Sequence, residues 1–159
     1  NLYLMAVLTG LRLGELLNLQ WSDIDLDARV IQIRNSDTFT TKSRKNRSIP
    51  MNEQLHQAFV IMKNVAGSEL VFHSKGKRLK ANWVSKVFKS YVIKAGLNEK
   101  LHFHSLRHTF ASWLVQDGVS LYEVQKLLGH SNISVTQVYS HLQPETLHAT
   151  VNKISIPLN

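Results

Sequence analysis

A mainly helical α+β domain with a small antiparallel sheet is what this sequence predicts, and three features carry the expectation. Apolar residues recur at helical spacing through most of the chain, in segments closed by Gly10, Gly67, Gly96, Gly118 and Gly129. One run, Val30-Ile-Gln-Ile-Arg34, alternates instead and is β-branched, so it reads as a strand. The segments Thr38–Thr41 and Arg47–Met51 flank a turn at Lys42–Asn46 and read as two further strands. With 159 residues and 43% hydrophobic content, the chain is long enough for one domain with a real core.

Taken in order, Leu2 to Leu19 places Leu2, Met5, Ala6, Leu8, Leu16, Leu17 and Leu19 at helical spacing around Thr9-Gly10. The helix should break near Gly10 and restart towards Glu15. Arg12 and Glu15 are three apart and share a face; alone they read as an ordinary surface pair contributing about 0.3–0.5 kcal/mol. Trp21 to Asp27 is a turn-rich connector. The hairpin that follows has a basic tip, Lys42, Arg44 and Lys45, which either keeps an edge soluble or carries a lysine that reaches into a groove.

Asn52 is placed to cap a helix burying Leu55, Ala58, Phe59, Met62 and Val65. Leu70-Val-Phe72 is short and apolar, and the basic loop Ser74–Lys80 follows it. Asn82 is placed to cap a helix running to about Ala95. It would bury Val84, Val87, Phe88, Tyr91 and Val92 and leave Lys86, Lys89 and Lys94 to solvent or phosphate. From Ser105 a helix should bury Leu106, Phe110, Trp113 and Leu114, and Ser120 should cap the next, with Val124, Leu127 and Leu128 inward. A helical segment over Ser134–Leu142 carries Tyr139. Pro144 begins a last short helix before the tail Ile154–Asn159, and its apolar residues, Leu147 to Ile156, should pack in cis or on a partner protomer.

Charge narrows the function. Nineteen Lys and Arg against eleven Asp and Glu give a net charge of +8, which favours polyanions and nucleic acid first. Leu70 to Asn98 contains no acid, while Lys75, Lys77, Arg78, Lys80, Lys86, Lys89 and Lys94 all fall there, so one face should be far more positive than another. The absence of cysteine excludes disulfides, thiolate zinc sites and cysteine nucleophiles. No apolar run reaches membrane-spanning length and no secretory signal is seen, so a cytoplasmic, membrane-free location is expected. The chain begins with Asn, and we read it as the excised C-terminal part of a longer protein.

The stretch His102–His141 concentrates chemistry. His104, Arg107, His130 and Tyr139 suit the handling of a phosphate, and His104 and Arg107 point the same way from a helix start whose free N–H groups favour an anion. His104 and His108 have the spacing of a zinc pair. Only Ser-Leu-Arg lies between them, however, with no glutamate to act as base, and no carboxylate cluster completes a site. Metal catalysis is disfavoured and no cofactor is expected.

The boxes Thr9-Gly-Leu-Arg12-Leu-Gly-Glu15, Thr41-Lys42-Ser43 with Arg47-Ser-Ile-Pro50, His104-Ser-Leu-Arg107-His-Thr-Phe-Ala, Leu128-Gly-His130-Ser and Thr136-Gln-Val-Tyr139-Ser-His141 resemble, in order, those of the tyrosine recombinases, the phage integrase family. The resemblance spans nearly the whole chain and implies that residues 1–159 form a single catalytic domain of that fold, without the N-terminal DNA-binding part. It also implies double-stranded DNA as partner, and a homo-oligomer, a tetramer on DNA with contacts made by the C-terminal tail. Arg12 and Arg107 would neutralise the phosphorane, and Tyr139 would attack phosphorus to give a 3′-phosphotyrosyl link. Lys42 would protonate the leaving 5′-oxygen, His104 would exchange a proton with the tyrosine, and His130 would hydrogen-bond the phosphate. Glu15 would support Arg12. His108 and His141 are left as supporting or capping residues. Two rivals stand beside site-specific recombination: strand passage of the type IB topoisomerase kind, and a non-catalytic DNA-binding regulator.

Overall fold

A computed structural model describes residues 1–35 and 46–144. The expected strand at Thr38–Thr41, the turn carrying Lys42, Arg44 and Lys45, and the segment beyond Pro144 lie outside those residues. The first helix, α1 (Leu2–Thr9), ends where Gly10 turns into the left-handed region at φ 62° and its N–H closes on the carbonyl of Ala6 at 3.0 Å. The chain restarts as α2 (Leu13–Asn18), whose start is satisfied by Glu15: its carboxylate accepts the Arg12 backbone N–H at 2.8 Å. A 3-10 turn over Trp21–Asp23 leads into β1 (Ile24–Asp25), a strand inside the stretch that the sequence reads as connector.

β1 pairs antiparallel with β2 (Val30–Ile33), and β2 with β3 (Arg47–Pro50), in the register Ile31 to Ile49 and Ile33 to Arg47. Period-two alternation sends Ile31, Ile33 and Ile49 into the core. α3 (Glu53–Asn64) is capped as expected, Asn52 Oδ1 accepting the Leu55 N–H at 2.9 Å. Its buried stripe stops at Met62. Val65 falls where the chain leaves the helix and is 82% exposed, against the expectation that it faces inward.

The basic loop is a two-stranded ribbon, β4 (His73–Ser74) and β5 (Lys77–Arg78), turned by Lys75 and Gly76 at φ 50° and 75°. Two successive positive φ values suit the twist of a tight hairpin. α4 (Ala81–Lys94) begins one residue before the expected cap, so Asn82 lies inside its first turn and makes no cap bond. Tyr91, expected inside, is mostly exposed and only edges against Tyr3 at 5.9 Å between ring centroids. The Lys89 side chain is 39% exposed, and its ammonium donates one bond to the Glu99 carbonyl.

α5 (Ser105–Gln116) packs against α1 and is the helix around which the second half is arranged. Its fully buried positions are Arg107, Ala111 and Val115, with Leu106, Phe110 and Leu114 only half-buried and Trp113 exposed. The expected face was therefore turned, because an arginine occupies the centre of the buried stripe. α6 (Leu121–Leu128) carries the expected cap at Ser120, reinforced by Glu123, and ends at Gly129 with φ 65°. The segment carrying Tyr139 is not an α-helix but two 3-10 pieces, Ile133–Val135 and Gln137–Leu142. β-branched Ile133, Val135, Thr136 and Val138 disfavour α-helix there. A three-residue period also brings Thr136 and Tyr139 inward together, and both are buried.

A large core joins α1, α2, the sheet, α3 and α4. A smaller cluster of Ala111, Val115, Val124, Leu128 and Tyr139 joins α5, α6 and the tyrosine segment. Gly10 sits where the two meet: a Cβ there would stand 2.4 Å from Phe110 Cδ1 and 3.0 Å from Leu128 Cδ2.

Candidate active site

Arg107 lies at the centre of the site, buried without a carboxylate of its own. Its Nη1 donates to the carbonyl of Gly10 at 2.7 Å and its Nη2 to the carbonyl of Leu128 at 2.6 Å. These are the C-terminal ends of α1 and α6, where unpaired carbonyls and the negative ends of the helix dipoles collect. Each terminal nitrogen keeps a second N–H for an incoming anion. Burial first, and then the charge of Arg12, pull the Arg107 guanidinium down to about 9, so it stays protonated at pH 7.

Glu15 is the second anchor, 3% exposed, which overturns the reading of Arg12–Glu15 as an ordinary surface pair. The carboxylate is gripped by Arg47 through Nη1 at 2.9 Å and Nη2 at 2.8 Å, and Arg12 reaches it from the other side through Nη1 at 3.2 Å. Burial pushes the Glu15 carboxyl up. The bonds and charge of Arg47, together with those of Arg12, outweigh that push and hold it below its usual value. Arg12 therefore stands beside Arg107 with its side chain 23% exposed, tied by one edge.

The histidines sit on the rim of this positive centre and are held neutral. His104 and His130 are both brought down to about 4. For each the first cause is burial; His108 and the two arginines add to it for His104, and Arg107 and Arg12 for His130. His130 is fixed by Thr136, whose Oγ1 lies 2.9 Å from its Nδ1, leaving Nε2 as the ring nitrogen available to a ligand. Gln125 adds a bond to the His130 carbonyl at 3.1 Å.

Tyr139 is 6% exposed as a residue, and its hydroxyl is 2.6 Å from Nδ1 of His108. Burial raises the Tyr139 hydroxyl above its ordinary value, and the Arg107 charge only partly offsets this. His108, lowered by burial and by the charges of His102 and Arg107, is neutral and able to accept the phenolic proton.

Arg12, His104, Arg107, His130 and Tyr139, read from the sequence as one constellation, thus converge on one electropositive centre. Lys42 lies outside the described residues. Sequence reasoning set His108 aside and did not single out Thr136 or the role of Arg47. The four-residue step from His104 to His108 on one helix face was the available signal for the first. Among the described residues no group of three or more His, Asp or Glu could hold a metal ion. No helix there is long and apolar enough to cross a membrane.

Similarity to known proteins extends over nearly the whole chain. Residues 1–146 match the model of the phage integrase family. The chain is 32% identical over 156 residues to the tyrosine recombinase XerD of Bifidobacterium longum, covering 89% of this chain and 49% of that protein. It is 38% identical over 139 residues to XerC of Escherichia coli O127:H6, covering 84% and 45%. Its fold is similar to that of the Tn1549 transposon integrase bound to a circular-intermediate DNA, with a TM-score of 0.80, 28% identity, and 96% and 57% of the two chains covered. It is also similar to the catalytic domain of bacteriophage HP1 integrase, with a TM-score of 0.68, 27% identity, and 95% and 79% covered. The chain spans about half the length of the curated relatives it matches. Boxes, fold and sequence identity agree: the chain belongs to the phage integrase family, the tyrosine recombinases.

Proposed function

We propose that this chain is the catalytic domain of a longer site-specific DNA recombinase, the integrase of a mobile element, that cuts and rejoins DNA through a 3′-phosphotyrosyl intermediate. The observation that carries the reading is the pairing of the hydroxyl of a buried tyrosine with a neutral histidine, inside the field of Arg107. A purely DNA-binding module has no use for such a pair.

Phosphodiester cleavage needs the negative charge of the phosphorane to be met by fixed cations, because that charge repels an attacking oxygen. Arg12 and Arg107 supply it with guanidiniums, which bind oxygens in pairs. Nε2 of His130 adds a hydrogen bond. The Tyr139 oxygen forms the new bond to phosphorus as its proton passes to an imidazole, His108 being in contact and His104 next to it. The P–O5′ bond breaks and the leaving 5′-oxygen takes a proton, for which Lys42 is the candidate donor. The energy of the broken bond is kept in the tyrosyl ester, so rejoining to another strand requires no nucleotide hydrolysis.

The partner is double-stranded DNA, held by the basic surface that includes the β4–β5 ribbon; Tn1549 integrase and XerH are seen bound to DNA in their structures. Exchange between two duplexes implies a homo-oligomer on DNA, a tetramer, acting in the cytoplasm. Relaxation of supercoils by the same chemistry is the alternative. A nicked suicide site tests the proposal. Protein should become attached to the 3′ end of the broken strand in the presence of EDTA, and the Y139F variant should bind but form no adduct. Binding without an adduct on every site tried would favour the regulator reading.

A further inference from the structure

We infer that Arg47 is a positioning residue that sets the Arg12 guanidinium and the His130 turn at a fixed distance from one another; the inference rests on the function proposed above. Arg47 opens β3, and its side chain, 9% exposed, leaves the sheet to run between α2 and α6. All three of its guanidinium nitrogens are engaged within the protein. Nη1 and Nη2 take one oxygen each of Glu15, and Nε donates to the carbonyl of Leu127 at 3.2 Å. Its stem and guanidinium lie flat on Gly129, where a Cβ would come within 2.9 Å of Cδ and 3.0 Å of Nε and Cζ. Gly129 is therefore needed for its backbone, at φ 65°, and for the room it leaves Arg47.

The geometry divides labour between two arginines on one carboxylate. Glu15 accepts four bonds, two from Arg47 and two from Arg12 (its backbone N–H and one Nη1), which fills the lone-pair directions of a carboxylate. With Glu15 clamped by Arg47, Arg12 is held by one edge and keeps its other donors for phosphate. The Leu127 bond and the contact with Gly129 fix the last turn of α6 immediately before His130. One buried side chain thus connects two groups that, in the proposed function, meet the same phosphate. A lysine in its place would keep the charge but could not span two carboxylate oxygens and a carbonyl in one plane.

The test compares wild type, Y139F, R47K, E15Q and R47K/E15Q in the longest form of the protein available. It measures single-turnover adduct formation on a nicked site, well below each variant's melting temperature. DNA affinity is measured separately as a function of salt. R47K should bind DNA with unchanged affinity and salt slope yet form adduct roughly 10²-fold more slowly, the cost of a misplaced charge. In the E15Q background the same substitution should add little, because the two residues act as one unit. A wild-type rate in folded R47K would overturn the inference. A salt slope reduced by about one unit would also overturn it, since Arg47 would then be a phosphate contact. If wild type itself forms no adduct, the proposed function fails, and that result is distinct from either.

Discussion

Nδ1 of His108 lies 2.6 Å from the hydroxyl of Tyr139, across 31 residues of sequence and between two different elements. The contact joins α5 to the 3-10 segment that carries the tyrosine and makes His108 the imidazole nearest the proton that the proposed attack would release. It follows that H108A should slow single-turnover cleavage at neutral pH by roughly 10²-fold while leaving DNA affinity unchanged, the usual size of a general-base contribution. An unaltered cleavage rate would reduce the contact to packing.

Arg107 joins the ends of α1 and α6, so it should matter for stability as well as for phosphate binding. Truncating it in R107A leaves two buried carbonyls without donors, at about 1–3 kcal/mol each. Denaturant unfolding should register the loss even without DNA. Wild-type stability would mean that the carbonyls find other partners.

Gly10 is constrained twice, by φ 62° and by the approach of Phe110. G10A should therefore cost at least about 2 kcal/mol, from left-handed strain and displacement of the ring together. It should also disturb Arg107, whose Nη1 bond is to the Gly10 carbonyl. A melting temperature within a degree or two of wild type would contradict this.

Acid should destabilise the free protein in two stages. His104 and His130 titrate at about 4 when folded and near 6.5 when unfolded, so between those values the unfolded chain binds more protons and stability falls as pH falls. Glu15, held below its ordinary 4.5 when folded, adds a further loss as pH falls below that ordinary value. Imidazole NMR titrations should place both histidines near 4 in the free protein and higher with DNA bound, when phosphate offsets the arginine charges. Midpoints near 6.5 without DNA would contradict the geometry.

Features set by neighbours in sequence were legible in advance. Asn52 and Ser120 cap helices where they should, Gly10 and Gly129 end them, and the alternation over Val30–Ile33 gives a strand. Features set by distant partners were not. Arg107 gave no sign of being buried, because its partners are carbonyls of Gly10 and Leu128, one 97 residues away. Trp113 was drawn inward by its hydrophobicity, while the arginine had already fixed which face of α5 is buried. Glu15 passed for a surface residue until Arg47, 32 positions on, covered it. β1, two residues long, is too short to alternate visibly.

The central claim is that Tyr139 is the nucleophile, and peptide mapping of the trapped adduct tests it most directly. After nuclease and trypsin treatment, the nucleotide mass should appear on the peptide Leu127–Lys153, which contains Tyr139 and no other tyrosine. A label on the peptide His108–Lys126, which contains Tyr122, or an undiminished adduct in Y139F, would contradict the account.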